Sequence, residues 1–121
     1  MKHHIGTDLV EIDRVRQVID RWGDRFLRRV YTEAELEMYR DRTHSLAACF
    51  ASKEAVMKVL GTGAIGVGWR EIETLHHPSG KPLVRLHGRA RAEAERLGIT
   101  EIDVSLSHTK EYATATAIGT T

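Results

Sequence analysis

The chain has 121 residues, enough for one domain with a core that needs no disulfide staple. Its charges nearly cancel at net +1, which argues against nucleic acid as a partner, and its single cysteine excludes an internal disulfide and suits a reducing compartment. The N-terminus, Met1 to Gly6, carries no long apolar run, so neither a signal peptide nor a membrane span is expected and the location read from the sequence is cytoplasmic.

His3 to Val10 alternates as a strand, with Ile5, Thr7 and Leu9 on one face and Gly6, Asp8 and Val10 on the other. Asp8 is an acid in an otherwise apolar strand, near its C-terminal end. It reads either as a structural acid or as a metal ligand once a second carboxylate can reach it. Asp13 is expected to cap a helix running to about Trp22, with Val15, Val18, Ile19 and Trp22 as its apolar stripe. Arginines at 14, 16, 21, 25, 28 and 29 make this the most basic region, either a solvated face laced with ion pairs or a docking face for an acidic partner. Thr32 and Glu35 form a capping box for a short helix to about Arg40.

The longest predicted helix spans about Ser45 to Leu60, free of Pro and Gly and stopped by Gly61. Leu46, Cys49, Phe50, Val56, Met57 and Leu60 gather on one face; Ala47, Ala48, Ala51 and Ala55 gather on the other, with Glu54 and Lys58 at its edge. Both faces therefore look packed, and the alanines permit close approach. Glu54 and Lys58, spaced i,i+4, read either as a surface ion pair or as a metal-ligating carboxylate beside a phosphate-binding lysine. Gly61 to Gly68 is a glycine-rich connector that is not a P-loop, because it follows a helix and lacks the Gly-Lys-Ser/Thr ending.

Trp69 to His77 and Pro82 to His87 read as strands joined by a Pro78-Ser79-Gly80-Lys81 turn. Adjacent His76 and His77 point to opposite faces of their strand and cannot chelate one metal. Arg89 to Leu97 is an amphipathic helix closed by Gly98. Ile99 to Ser107 alternates, with Ile102, Val104 and Leu106 opposite Asp103, Ser105 and Ser107. The last strand, Tyr112 to Ile118, carries Ala113, Ala115 and Ala117 as a flat face suited to a helix or another subunit. His108 ends the strand before it. The fold class is α+β: a single domain, residues 1–121, with a small antiparallel or mixed sheet packed by the long helix.

Several stretches, in order, carry a resemblance: Ile5-Gly6-Thr7-Asp8-Leu9-Val10-Glu11-Ile12, Arg25-Phe26, Tyr31-Thr32-Glu33-Ala34-Glu35-Leu36, Phe50-Ala51-Ser52-Lys53-Glu54-Ala55 with Lys58, Gly61-Thr62-Gly63, Ser79-Gly80-Lys81-Pro82 and Ser105-Leu106-Ser107-His108-Thr109. Together they resemble the holo-acyl-carrier-protein synthases, the small bacterial 4′-phosphopantetheinyl transferases, over essentially the whole chain. The resemblance implies transfer of the phosphopantetheine arm of coenzyme A to a serine of apo acyl carrier protein, with release of adenosine 3′,5′-bisphosphate. It also implies Mg²⁺ as cofactor, a homotrimer with coenzyme A between subunits, and carrier proteins of fatty acid or polyketide synthesis. Asp8 and Glu54 would be the Mg²⁺ ligands and, with Lys58 on the pyrophosphate, the catalytic group. Ser107, His108, Thr109, Gly63, Pro82 and Arg42 would help hold coenzyme A; Arg14, Arg21, Arg25 and Phe26 would meet the acidic carrier protein. The serine proton would go to Glu54 or to a metal-bound water.

The family commonly has an arginine directly before the Phe-Ala-Ala-Lys-Glu stretch, where this chain has Cys49; Arg40, Arg42 and His44 offer replacement charge from the preceding loop. The competing readings are an inactive carrier-protein-binding module of the same fold and a metal-dependent hydrolase of another nucleotide pyrophosphate.

Overall fold

The structure, a computed structural model, describes the backbone of all 121 residues and every side chain except those of Ala64 and Ile65. In chain order the elements are β1 (His3–Glu11), α1 (Ile12–Trp22), α2 (Asp24–Val30), α3 (Glu33–Tyr39), α4 (Thr43–Leu60), α5 (Gly63–Gly66), a 3-10 turn (Trp69–Glu71), β2 (Ile72–His76), β3 (Pro82–Leu86), α6 (Gly88–Arg96), β4 (Glu101–His108) and β5 (Tyr112–Thr120). The class is α+β, as the sequence indicates. The expected sheet is in fact two antiparallel sheets, one ordered β1-β5-β4 and the other a β2-β3 hairpin. The hairpin lies beside β4 without joining its ladder.

Helix α4 lies between them. Its alanine side meets the three-stranded sheet, and its bulky side meets α3, β2 and the 3-10 turn. Contact with the sheet is possible because small residues line it on both sides. Ala113, Ala115 and Ala117 of β5 are fully buried against the helix, so the alanine face serves α4 within the chain and is not free for another subunit. Gly6 of β1 is the tightest point. A Cβ there would stand 2.0 Å from the Ala55 carbonyl oxygen and 3.0 Å from the Lys58 Cβ. The register places Gly6 opposite Ala117 and Asp8 opposite Ala115, so Asp8 shares the helix-facing side of the strand.

Several elements differ from the sequence reading: Trp69–Glu71, expected as the start of a strand, is the 3-10 turn and the strand is Ile72–His76, and the glycine-rich connector holds the short helix α5. The first helix begins at Ile12 with Glu11 at its N-cap position, so Asp13 falls in the first turn and pairs with Arg16 at 2.7 Å instead of capping. Gly23, at φ 55°, then breaks the chain direction and starts α2, a helix the arginine-rich composition concealed. The Thr32–Glu35 capping box is formed, and Gly61 ends α4 in the left-handed conformation. Glu35 does more than cap. It is fully buried and meets the equally buried Lys53 of α4 at 2.8 Å.

Replacing Gly6 with alanine forces backbone against backbone where no side chain can yield. Gly6→Ala should cost about 3 kcal/mol of folding stability, the upper range of overpacking. Urea denaturation checks this, and a loss below about 0.5 kcal/mol would show that β1 and α4 do not approach as described.

Candidate active site

The strand–helix contact sets the geometry of the site. Asp8 projects from β1 toward α4, and Glu54 lies one turn after Phe50 on the same flank of the helix. The two carboxylates meet although 46 positions separate them in the chain. They share a cavity of about 390 Å³ with Leu9, Val10, Glu11, Arg14, Val15, Val18, Phe26, Phe50 and Tyr112. One end is acidic and the walls are apolar.

The electrostatics of the acidic end are unfavourable as it stands. The Glu54 carboxyl is pushed up from its ordinary 4.5 to about 6, first by burial, then by the neighbouring Asp8 charge and by a hydrogen-bonding contact with Asp8 that favours the protonated form; Lys58 offsets part of this. Asp8 Oδ2 is buried with no hydrogen-bond partner. Lys58 does not pair with Glu54. Its ammonium stands 3.2 Å from Asp8 Oδ1 and donates to the Thr7 carbonyl at 2.7 Å. The expected i,i+4 surface pair is therefore replaced by a strand–helix pair, because β1 brings an acid closer than the next helical turn does. An orphaned buried carboxylate oxygen beside a desolvated second carboxylate is the donor set that a hard divalent cation takes. Among the described residues no cluster of three or more His, Cys, Asp or Glu could hold a metal, so substrate phosphates and water would complete its coordination.

The other sequence-selected residues fall in different places. Arg14 and Phe26 line the same cavity as the carboxylates. Phe26 also forms a wall of a neighbouring cavity of about 370 Å³ with Val18, Trp22, Arg25 and Arg29. Trp22, passed over in the sequence as a core residue, is 48% exposed, with the Arg21 and Arg25 guanidinium groups 5.2 and 5.7 Å from its ring. This basic, aromatic face adjoins the site directly.

His108 ends β4, with β5 lying between its strand and Asp8, two strand spacings or about 10 Å away. Its ring lies 5.4 Å from that of His44 in the first turn of α4. Arg42 is the residue before that helix, Ser107 faces outward opposite Thr114, and the Thr109 hydroxyl accepts from the Glu111 and Tyr112 amides. Gly63 lies past the other end of α4, and Pro82 opens β3 opposite His76. An 18-residue helix is about 27 Å long, so Arg42 and Gly63 stand far apart within one chain.

Cys49 is buried, donates its thiol to Glu35 Oε2 at 3.2 Å, and has its pKa raised chiefly by burial and then by the Glu35 charge. It is neither a nucleophile nor a substitute for a cation. Arg40 is engaged by Asp24 at 3.0 Å. Phe50 and Tyr112 were not selected from the sequence; both read as ordinary apolar positions, and only the fold shows them as cavity walls.

A long helix is seated on an antiparallel sheet by glycine and alanine, and two carboxylates and a lysine meet at the seam. The chain belongs to the 4′-phosphopantetheinyl transferase superfamily, matched over residues 4–117. It is 51% identical to the holo-[acyl-carrier-protein] synthase of Herpetosiphon aurantiacus, over 94% of this chain and 95% of that one. It is 50% identical to the synthase of the same name from Dehalococcoides mccartyi, over 95% and 96%. Among solved structures it resembles the Helicobacter pylori holo-[acyl-carrier-protein] synthase in complex with coenzyme A, with a TM-score of 0.87 at 28% identity over 96% of this chain and 99% of that one. The Neisseria meningitidis synthase gives a TM-score of 0.87 at 32% identity, over 98% of each chain.

A raised Glu54 pKa means that the folded chain holds this proton more tightly than the unfolded chain. In metal-free protein the wild type should therefore gain stability as pH falls from about 6 toward 4.5 and lose it as pH rises through that window. Glu54→Gln should have the higher Tm at pH 7.5, and the difference should shrink on acidification. Calorimetry of the two proteins across this range checks it; a pH-independent difference would contradict the burial and charge assigned to Glu54.

Proposed function

We propose that this chain transfers the 4′-phosphopantetheine group of coenzyme A to a serine of apo acyl carrier protein, giving the holo carrier and adenosine 3′,5′-bisphosphate. The observation that carries this reading is the junction of Asp8, Glu54 and Lys58, in a chain about half identical to relatives bearing the synthase name. Asp8 and Glu54 fit a Mg²⁺ ion. When bound there, it would neutralise charge on the pyrophosphate and help orient it.

The residues of the chain supply the rest. Lys58 is exposed at the mouth of the site, and two of its three donors are engaged, so one remains for a phosphate oxygen. Phosphoryl-type transfer depends mainly on positioning and charge neutralisation, which this arrangement provides. The serine proton must move to an acceptor; the cavity-lining carboxylates are Asp8, Glu11 and Glu54. Val10, Val15, Phe26 and Phe50 give the cavity apolar walls beside the carboxylates.

The carrier protein docks on α1 and α2 through Arg14, Arg21, Arg25 and Phe26. A basic face suits an acidic partner, and its cavity shares the Phe26 wall with the site, so a serine presented there is near the carboxylates. Coenzyme A is held at its nucleotide end by His108, Ser107, Thr109 and Arg42, with Gly63 and Pro82 completing the cleft. Because these residues are spread over opposite ends of α4, the cleft is built between copies, in a homotrimer. The outer face of the three-stranded sheet supports such assembly: Ile5 and Leu9 are 66% and 64% exposed, and Ile118 sits opposite Ile5. The reaction is placed in the cytoplasm and serves carrier proteins of fatty acid biosynthesis, a part of lipid metabolism, or of polyketide synthesis. The one cysteine is free and buried, as in a reducing compartment, and among the described residues no helix is long and apolar enough to cross a membrane.

Mass spectrometry of apo carrier protein incubated with coenzyme A, Mg²⁺ and this protein should show addition of one phosphopantetheine. No addition, with a folded protein and a competent carrier, would overturn the reading. Asp8→Asn and Glu54→Gln should each lower kcat/KM by about two orders of magnitude or more, and the double variant should be little worse, because ligands of one ion act as a unit. Lys58→Met should raise the KM for coenzyme A while metal affinity holds.

Arg25→Glu should raise the carrier-protein KM, with little effect on the coenzyme A KM. Raised salt should weaken use of the carrier in the same way. Steady-state kinetics with each substrate varied in turn checks this, and equal effects on both would move the docking face elsewhere.

A further inference from the structure

The ion pair buried on the far side of α4 has no part in the reaction described, yet it contacts the site through one residue on either side. Lys53 directly precedes Glu54, and both Lys53 and Glu35 are 0% exposed. The Lys53 ammonium is fully engaged: by Glu35 Oε1 at 2.8 Å, by the Trp69 carbonyl at 3.0 Å and by the Ile72 carbonyl. Glu35 in turn accepts from the Thr32 amide, the Thr74 amide and the Cys49 thiol. Helix α4 is thereby bonded directionally to three separate segments: α3, the 3-10 turn and β2.

We propose that Glu35 and Lys53 are positioning residues that fix the roll of α4, so that the Glu54 carboxylate faces Asp8 and the Phe50 wall stays closed. Successive helical residues are 100° apart, so a helix whose Lys53 is tied on one side presents Glu54 at a set angle on the flank that faces β1. The alanine seam sets how closely helix and sheet approach, whereas the bonds of Lys53 and Glu35 are directional. The Trp69 backbone that Lys53 holds also carries the indole that stacks on Phe50, with centroids 4.8 Å apart and planes 20° from parallel. Phe50 lines the cavity with Asp8 and Glu54. One ammonium thus governs both the ligand next to it in sequence and the wall one turn before.

A buried ion pair is weak support for stability, because well-packed apolar residues of similar volume often serve as well; what it supplies is direction. That difference makes the inference testable. It rests on the reading of Asp8 and Glu54 as a metal site, so the measurements separate the two. Glu35→Gln/Lys53→Met removes both charges together and avoids leaving one buried ion unpaired; the one Gln oxygen keeps an acceptor for either the Thr32 or the Thr74 amide, which bond to different oxygens of Glu35. Mn²⁺ binding to the protein in the presence of coenzyme A is followed by electron paramagnetic resonance, alongside transfer kinetics and circular dichroism.

The double variant should be folded, bind Mn²⁺ about tenfold or more weakly, and lose kcat by a similar factor, the scale seen when residues that orient a metal ligand are removed. Its carrier-protein KM should change less than its Mn²⁺ affinity, since Arg14, Arg21 and Arg25 make no bond to the pair and only Phe26 reaches it, through Phe50 and Tyr31. Lys53→Arg keeps the charge but displaces its donors, and should show the same weakening in smaller degree. It decides the matter if the double variant does not fold. Wild-type Mn²⁺ affinity and kcat in the folded double variant, or in Lys53→Arg if the double variant is unfolded, would overturn the inference. If wild-type protein itself transfers the group without divalent metal and binds no Mn²⁺, the metal reading fails first and the positioning role falls with it.

Discussion

Everything in this structure depends on how closely α4 can approach β1 and β5. Gly6 leaves no room for a side chain between strand and helix, and the alanines of β5 meet those of α4 across the same seam. Only at that distance can a carboxylate from the first strand reach one from the middle of the chain. A bulkier seam would keep both acids apart and solvated. The meeting of the two acids is a consequence of small residues.

The cost of the arrangement is carried at the same place. Two acids are partly withdrawn from water, one oxygen has no partner, and a single exposed lysine only partly compensates. Unfavourable charge of this kind persists in a folded protein when the rest of the structure outweighs it and when a ligand relieves it. The rest of α4 does outweigh it: most of the helix is buried, and its opposite side is bonded through Lys53 and Glu35. Stability is concentrated on one side of the helix and function on the other.

Most of the fold was legible from sequence because local chemistry announced it. The capping box at Thr32, the glycine stop at Gly61, the Pro-Ser-Gly-Lys turn and the alternation of β1, β4 and β5 are all where the residues place them. The exceptions follow a pattern. The α1 boundary slipped because a good capping residue, Asp13, lies two positions inside the helix. Helix α2 was hidden because its arginines are on the exposed face while Leu27 and Val30 pack inward. The alanine face of β5 could have served a helix or a neighbouring subunit; only the fold shows that α4 takes it. Asp8, Glu54 and Lys58, singled out together in the sequence, lie side by side in the fold, but their pairing was not legible, since i,i+4 spacing cannot show that a strand offers a nearer acid. The Glu35–Lys53 pair could not be read, because Glu35 is accounted for by its capping box and Lys53 alone resembles an ordinary surface charge.

The most direct test of the central claim is crystallographic. Crystals grown with coenzyme A and Mn²⁺ in place of Mg²⁺, with data collected at the manganese edge, locate the metal without reference to activity. One anomalous peak is expected within ligand distance of Asp8 Oδ2 and the Glu54 carboxylate, with the coenzyme pyrophosphate on its open side. Coenzyme A seated in the cleft with the peak elsewhere, or with no peak at all, would contradict it.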